Sequence, residues 1–239
     1  MSCAAILLAG GSGTRLQREE NKVYLQLDGR PLLMWSVDAF DRSPLIDRVV
    51  LVVRRDDIDR ARSLVEAVAP TKLAGITVGG STRQASEHAG LEALAGDIDA
   101  GEVDLVCIHD VARPFVTQRL IARVVTAARR TGGAIPGLPL DTAFLVRADA
   151  DGSTPALLDT DDLRRVQTPQ AFRADALLDA YRRAAAAGFS GDDTAASMER
   201  FADVEVAFVS GDPDNVKVTY VEDLVRAEEI AHAWDPEGR

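Results

Sequence analysis

Apolar runs alternate with amphipathic stretches along the whole chain, and few folds accept that rhythm. A short run that is apolar at every position suits a strand buried on both faces. A stretch with apolar residues every three or four positions suits a helix that covers one of those faces. Repetition of this pair is the pattern of βα units on a mostly parallel sheet flanked by helices. Strands are expected near 3–9, 48–53, 75–78, 103–109, 133–137 and 204–209, and helices near 31–41, 57–68, 82–95, 117–130, 173–187, 193–201 and 221–233. Pro31 stands where a helix opens and its missing N–H costs nothing, and Thr117 is placed to cap the fourth helix. No internal repeat or Pro/Gly/Ser-rich linker divides the 239 residues, so one α/β domain over 1–239 is expected. The stretch 139–168 departs from the rhythm: Phe144-Leu145-Val146-Arg147 and Ala156-Leu157-Leu158 flank the turn-like Ala148 to Ser153. It reads as a β-hairpin arm, inserted between a sheet strand and the helix at 173, that reaches a partner.

The first strand, Cys3 to Leu8, runs into Ala9-Gly10-Gly11-Ser12-Gly13-Thr14-Arg15, with Lys22 shortly after. Glycines without a Cβ let backbone N–H groups approach phosphate oxygens, and Arg15 and Lys22 add mobile positive charge, a combination suited to a nucleoside triphosphate. No Gly-Lys-Ser/Thr triplet follows, so this is not a Walker A loop. The glycine spacing G-G-x-G and the interruption Arg18-Glu19-Glu20-Asn21 do not fit the Rossmann fingerprint. An ordinary βα turn that needs glycine only for positive φ would carry the same residues.

Acidic residues outnumber basic ones by 38 to 27, a net charge of −11, which argues against nucleic-acid or anionic-membrane partners. An anionic ligand must then be held by local positive charge. Cys3 and Cys107 sit in apolar runs and read as reduced core residues. No stretch approaches the roughly 18 apolar residues of a membrane span, and no leader pattern opens the chain, so a cytoplasmic protein is expected.

Four more clusters fall where strands end or helices begin, the edge at which open α/β sheets bind ligands. They are Gly79-Gly80-Ser81-Thr82-Arg83-Gln84-Ala85-Ser86, His109-Asp110-Val111-Ala112-Arg113-Pro114, Gln167-Thr168-Pro169-Gln170 and Asp214-Asn215-Val216-Lys217-Val218-Thr219. Asp110 suits Mg²⁺, which takes one or two carboxylates and completes its shell with phosphate oxygens and water. Each cluster also has an ordinary reading: an Asp110–Arg113 ion pair, a Ser81 or Thr82 helix cap, a solvated Lys217.

Together, A-G-G-S-G-T-R-L with Lys22, G-G-S-T-R-Q-A-S, H-D-V-A-R-P, Q-T-P-Q-A-F and D-N-V-K-V-T resemble the 2-C-methyl-D-erythritol 4-phosphate cytidylyltransferase family of the non-mevalonate isoprenoid pathway, over about residues 3–232. The ribitol-5-phosphate cytidylyltransferases are close relatives. The resemblance implies a Rossmann-like nucleotidyltransferase domain, a homodimer with exchanged hairpin arms, CTP as donor and Mg²⁺ as metal. It implies that Ala9, Gly10, Gly11, Ser12, Gly13 and Thr14 cover the triphosphate, and that Arg15, Lys22 and Lys217 are catalytic cations. It further implies that Gly80 and Ser86 recognise cytosine, that Asp110 binds metal, and that Arg113, Thr142 and Thr168 serve the acceptor side.

Two positions depart from the family pattern. The arginine usual eight residues before the threonine of T-P-Q is Thr160, with Arg164 and Arg165 following as substitutes for holding the acceptor phosphate. The usual T-D-[ED]-A-S stretch is Asp192-Asp193-Thr194-Ala195-Ala196-Ser197, so an acidic residue stands in place of a threonine. The expected activity is cytidylyl transfer from CTP to methylerythritol phosphate. A pentitol phosphate acceptor such as ribitol 5-phosphate, or a nucleotide-binding paralogue without catalysis, are the alternatives.

Overall fold

The computed structural model describes residues 2–10, 21–140, 145–147, 156–158, 163–191 and 193–235. The chain opens with β1 (Cys3–Leu8), the small hairpin β2 (Gln26–Leu27) and β3 (Arg30–Pro31), and α1 (Leu32–Arg42). β4 (Arg48–Val53), α2 (Ile58–Val68), β5 (Leu73–Val78), α3 (Arg83–Ala93) and the short α4 (Ala95–Asp99) follow. Then come β6 (Leu105–Asp110), α5 (Gln118–Thr131), β7 (Gly132–Pro139), β8 (Leu145–Arg147), β9 (Ala156–Leu158), β10 (Arg164–Val166) and β11 (Gln170–Arg173). α6 (Ala174–Ala186), α7 (Thr194–Phe201), β12 (Glu205–Ser210) and α8 (Val221–His232) complete the chain. No helix among the described residues is long and apolar enough to cross a membrane.

In the main sheet β5, β4, β1 and β6 are parallel neighbours in that order. β11 lies antiparallel between β6 and β7, and β12 pairs parallel with the other side of β7. The apolar runs are continuous because both faces are covered. On β1, Cys3, Ala5 and Leu7 join one core with α1, α2, α5 and α8, while Ala4 and Ile6 join a second core with α3, α4, α6 and α7. Cys3 and Cys107 are free and buried, with their sulfurs 3.7 Å apart. The Thr117 hydroxyl accepts from Leu120 N at 3.1 Å and caps α5, as expected. Pro31 lies one position earlier than expected, at the N-cap, where its extended ψ of 135° leads into α1.

Three features depart from the sequence reading. The chain turns tightly between β2 and β3 through Asp28 (φ 49°) and Gly29 (φ 71°), a hairpin for which Asp-Gly was a legible signal. β10 and β11 were not expected as sheet strands: both run antiparallel to the same side of β7, and the register slips by two residues between them. The hairpin stretch is therefore shorter than 139–168, because β7 continues to Pro139 and Arg164–Val166 return beside it. Within that stretch β8 pairs antiparallel with β9.

Candidate active site

Chain order reverses at β1: the chain goes to β4 on one side and returns through β6 on the other, so a crevice opens beyond the carboxyl ends of β1 and β6. Ala9 and Gly10 leave β1 there, and Asp110 ends β6. Asn21 ties the far end of the glycine loop to its start, its amide donating to Ala9 O at 3.1 Å and to Asp57 Oδ2 at 2.8 Å. Lys22, directly after it, donates to Val218 O at 2.8 Å, so the loop's cation stands beside the segment that carries Lys217. Gly11, Ser12, Gly13, Thr14 and Arg15, together with Thr142, Thr160 and Asp192, lie outside the described residues.

Asp110 is the centre of charge. Its Oδ1 pairs with Arg83 Nη1 and its Oδ2 takes Lys217 Nζ at 2.7 Å. Burial pushes this carboxyl up, but Arg83 and Lys217 outweigh that and hold it well below the ordinary carboxylate range. The ordinary reading of an Asp110–Arg113 pair is thus replaced by Arg83 and Lys217 as direct partners. Arg113 instead clamps backbone: Nη1 donates to Asn215 O at 2.8 Å and Nη2 to Val166 O at 3.3 Å. Burial lowers its pKa, and it stays charged.

The break between β10 and β11 is what brings Lys217 to Asp110. Gln167 donates to Asp212 O at 2.8 Å and accepts from Asp212 N at 3.0 Å, and the buried Asn215 amide donates to Thr168 O at 2.8 Å. These side chains dock the irregular segment 212–218 onto the break, as a regular strand with its carbonyls turned into a ladder could not. Thr168 faces inward: Asp110 N donates to its Oγ1 at 3.0 Å, and that hydroxyl lies 3.2 Å from His109 Nδ1. His109 Nε2 is 3.1 Å from Arg113 O, a pure acceptor, so the proton sits on Nε2 and the Thr168 hydroxyl donates to Nδ1. Burial lowers the His109 pKa to about 4 and keeps the ring neutral. The Thr168 hydroxyl expected to grip the acceptor is therefore taken up in holding Asp110.

At the neighbouring edge, Gly80 and Ser86 sit together. Ser86 Oγ donates to Thr82 O at 2.9 Å, with Gly80 O at 3.3 Å, which fixes the turn into α3. A Cβ on Gly80 would come 2.4 Å from Ala85 Cβ, so only glycine lets the loop lie this close. Strand alternation sends Arg164 and Arg165 to opposite faces. Arg164 Nη1 donates to Leu163 O at 2.9 Å, while Arg165 is among the positive charges that lower the Arg113 pKa, after burial and alongside Arg83. Sequence reasoning passed over Arg83 as the Asp110 partner, and also Asn21, Gln167 and Asn215. Arg83 had a signal, since it opens a helix and precedes Glu87 by four residues, whereas the other contacts are long-range.

The family model for 2-C-methyl-D-erythritol 4-phosphate cytidylyltransferase (IspD) matches residues 3–233. The chain belongs to the 2-C-methyl-D-erythritol 4-phosphate cytidylyltransferase family. A protein of that name from Geobacter metallireducens is 40% identical over 230 residues, covering 95% of this chain and 97% of its own. A bifunctional IspD/IspF enzyme from Bradyrhizobium diazoefficiens is 42% identical over 94% of this chain, and the chain spans 54% of that relative's length. Among solved structures, 4-diphosphocytidyl-2C-methyl-D-erythritol synthase from Anaerococcus prevotii superposes with a TM-score of 0.83 at 28% identity, covering 97% of this chain and 96% of its own. The family member from Thermus thermophilus superposes with a TM-score of 0.72 at 32% identity, covering 97% and 100%.

Proposed function

We propose that this chain transfers CMP from CTP to 2-C-methyl-D-erythritol 4-phosphate. The observation that carries the reading is the set Arg83, Arg113 and Lys217 gathered about the buried carboxylate of Asp110 at the switch-point crevice, with Lys22 bound to the Val218 carbonyl next to Lys217, in a family member of net charge −11. An acceptor phosphate oxygen attacks the α-phosphorus in line, and the bond to the bridging oxygen breaks as pyrophosphate leaves with its electron pair. Two anions must meet, so positioning and positive charge are the main help a protein can supply. Lys22 and Arg15 are assigned to the charge growing on the transferring and departing phosphates, and Lys217, held by Asp110, is the further cation, carried by the segment to which Lys22 is bound.

We assign the cytosine to the wall made by Gly80 and Ser86, and the triphosphate to the loop from Ala9 through Thr14. Mg²⁺ fits as a metal that draws most of its ligands from the triphosphate. Asp110 stays ionised and would be its protein carboxylate, and among the described residues no group of three or more His, Cys, Asp or Glu could hold a metal alone. When bound, such a dication neutralises phosphate charge. Arg165 is our choice to hold the acceptor phosphate, a guanidinium being able to grip two oxygens where the usual arginine is replaced by Thr160. The same reading makes the active form a homodimer that exchanges the stretch around β8 and β9. A cytoplasmic location is supported by the two free, buried cysteines.

Pyrophosphate release from CTP, UTP and ATP against methylerythritol phosphate and ribitol 5-phosphate tests this. Turnover is expected with CTP and methylerythritol phosphate. A preference for ribitol 5-phosphate overturns the acceptor assignment, comparable rates with ATP overturn the base assignment, and no turnover with any pair overturns the function.

A further inference from the structure

Glu87 is a buried carboxylate that the proposed reaction leaves without a task. It lies on the second turn of α3, and its two oxygens are both occupied. Oε1 is 2.9 Å from Arg83 Nε and accepts from Thr194 Oγ1 at 2.9 Å, while Oε2 accepts from the Tyr181 hydroxyl. Thr194 and Tyr181 are themselves fully buried, on α7 and α6. Arg83 is thus caught between two carboxylates, Glu87 behind it and Asp110 in front. A guanidinium lost from that line would leave Asp110 with Lys217 as its direct partner.

We propose that Glu87 is a positioning residue for the transfer, which aims Arg83 at Asp110 and so fixes where Asp110 and Lys217 stand. The inference rests on the cytidylyltransferase reading. The carboxylate serves this purpose because three elements hold it rigid, and rigidity matters where reacting groups must be placed within fractions of an ångström. In the T-D-[ED]-A-S pattern the third place is acidic, and here that place is Thr194, whose hydroxyl now donates to Glu87. A carboxylate placed at Thr194 would therefore start from a position already in contact with Glu87.

The test uses the full chain with CTP, methylerythritol phosphate and Mg²⁺. Glu87→Gln keeps the shape and removes the charge, and kcat is expected to fall about 30-fold, with KM for CTP changed less than about twofold, as for a misplaced group outside the substrate's reach. The double variant Glu87→Gln with Thr194→Glu is expected to recover at least about a third of the lost kcat, because it returns the carboxylate from α7; a residue that only stabilises the core gives no such rescue. A crystal structure of Glu87→Gln is expected to show Arg83 withdrawn from Asp110, and this readout needs no turnover. Should Glu87→Gln fail to fold, Thr194→Val carries the test. It removes the hydroxyl that holds Oε1, leaving Arg83 as that oxygen's other partner, and a several-fold loss of kcat at an unchanged melting midpoint supports the proposal. Wild-type turnover in Glu87→Gln, absence of rescue in a folded double variant, or Arg83 unmoved in the crystal each overturns it. Wild-type protein without CTP turnover refutes the proposed function, and the crystal structure still decides the role of Glu87.

Discussion

At the residue scale, the site works by opposing burial with charge. Asp110 remains ionised in a dry setting only because Arg83 and Lys217 surround it, so removing its charge strands both cations. Asp110→Asn is expected to lower kcat by about 100-fold or more and to cost about 1–3 kcal/mol of stability, read by pyrophosphate release and by urea unfolding. His109 behaves in the opposite way, since burial removes its charge. Its folded pKa of about 4 lies below the ordinary 6.5, so the unfolded chain binds an extra proton between those values and stability falls as pH drops through that window. That one group is expected to contribute about 3 kcal/mol above pH 6.5, lost by pH 4. Urea midpoints at pH 7 and pH 4.5 are expected to differ less for His109→Gln than for wild type. An equal difference would mean that His109 is not the group titrating.

At the element scale, α3 and the β10–β11 break carry the site. α3 delivers Arg83 and Ser86 from its first turns and rests on the sheet through Gly90, where an added Cβ would come 2.6 Å from Ile6 Cγ2 and 3.1 Å from Val52 Cγ2. Gly90→Ala therefore trades a favourable helix propensity for a helix forced off β1 and β4. It is expected to destabilise by about 1–3 kcal/mol in urea unfolding and to raise KM for CTP as the base wall shifts. The helices were legible from their 3.6-residue period, and the parallel strands from short continuous apolar runs that lack it. β10 and β11 were not, because their partner is β7 and the two-residue slip that separates them has no local signature. The Thr168 backbone carbonyl and hydroxyl that this slip exposes are satisfied by Asn215 and by Asp110 with His109, residues 40 or more positions away.

At the scale of the whole molecule, the proposed dimer makes a prediction of its own. Sedimentation of the full chain is expected to give a dimer, and replacing 145–158 by a short Gly/Ser linker to give a folded monomer without turnover; an active monomer would sink the exchanged arm. The sequence by itself determined the class of fold, because short runs apolar at every position, alternating with amphipathic helical stretches, are best buried as strands covered on both sides by those helices. It also pointed to segments that meet at the crevice, since Gly10 and Asp110 fall at the ends of β1 and β6, although the irregular segment that carries Lys217 was not foreseen as such. It did not determine pairings. That Asp110 meets Arg83 and Lys217 rather than Arg113, and that Thr168 turns inward, were decided only when the sheet brought segments 27 to 107 residues apart into contact. The reason is physical: a periodic pattern records burial, which one element can express alone, whereas an ion pair is a property of two side chains whose separation exists only in the folded chain.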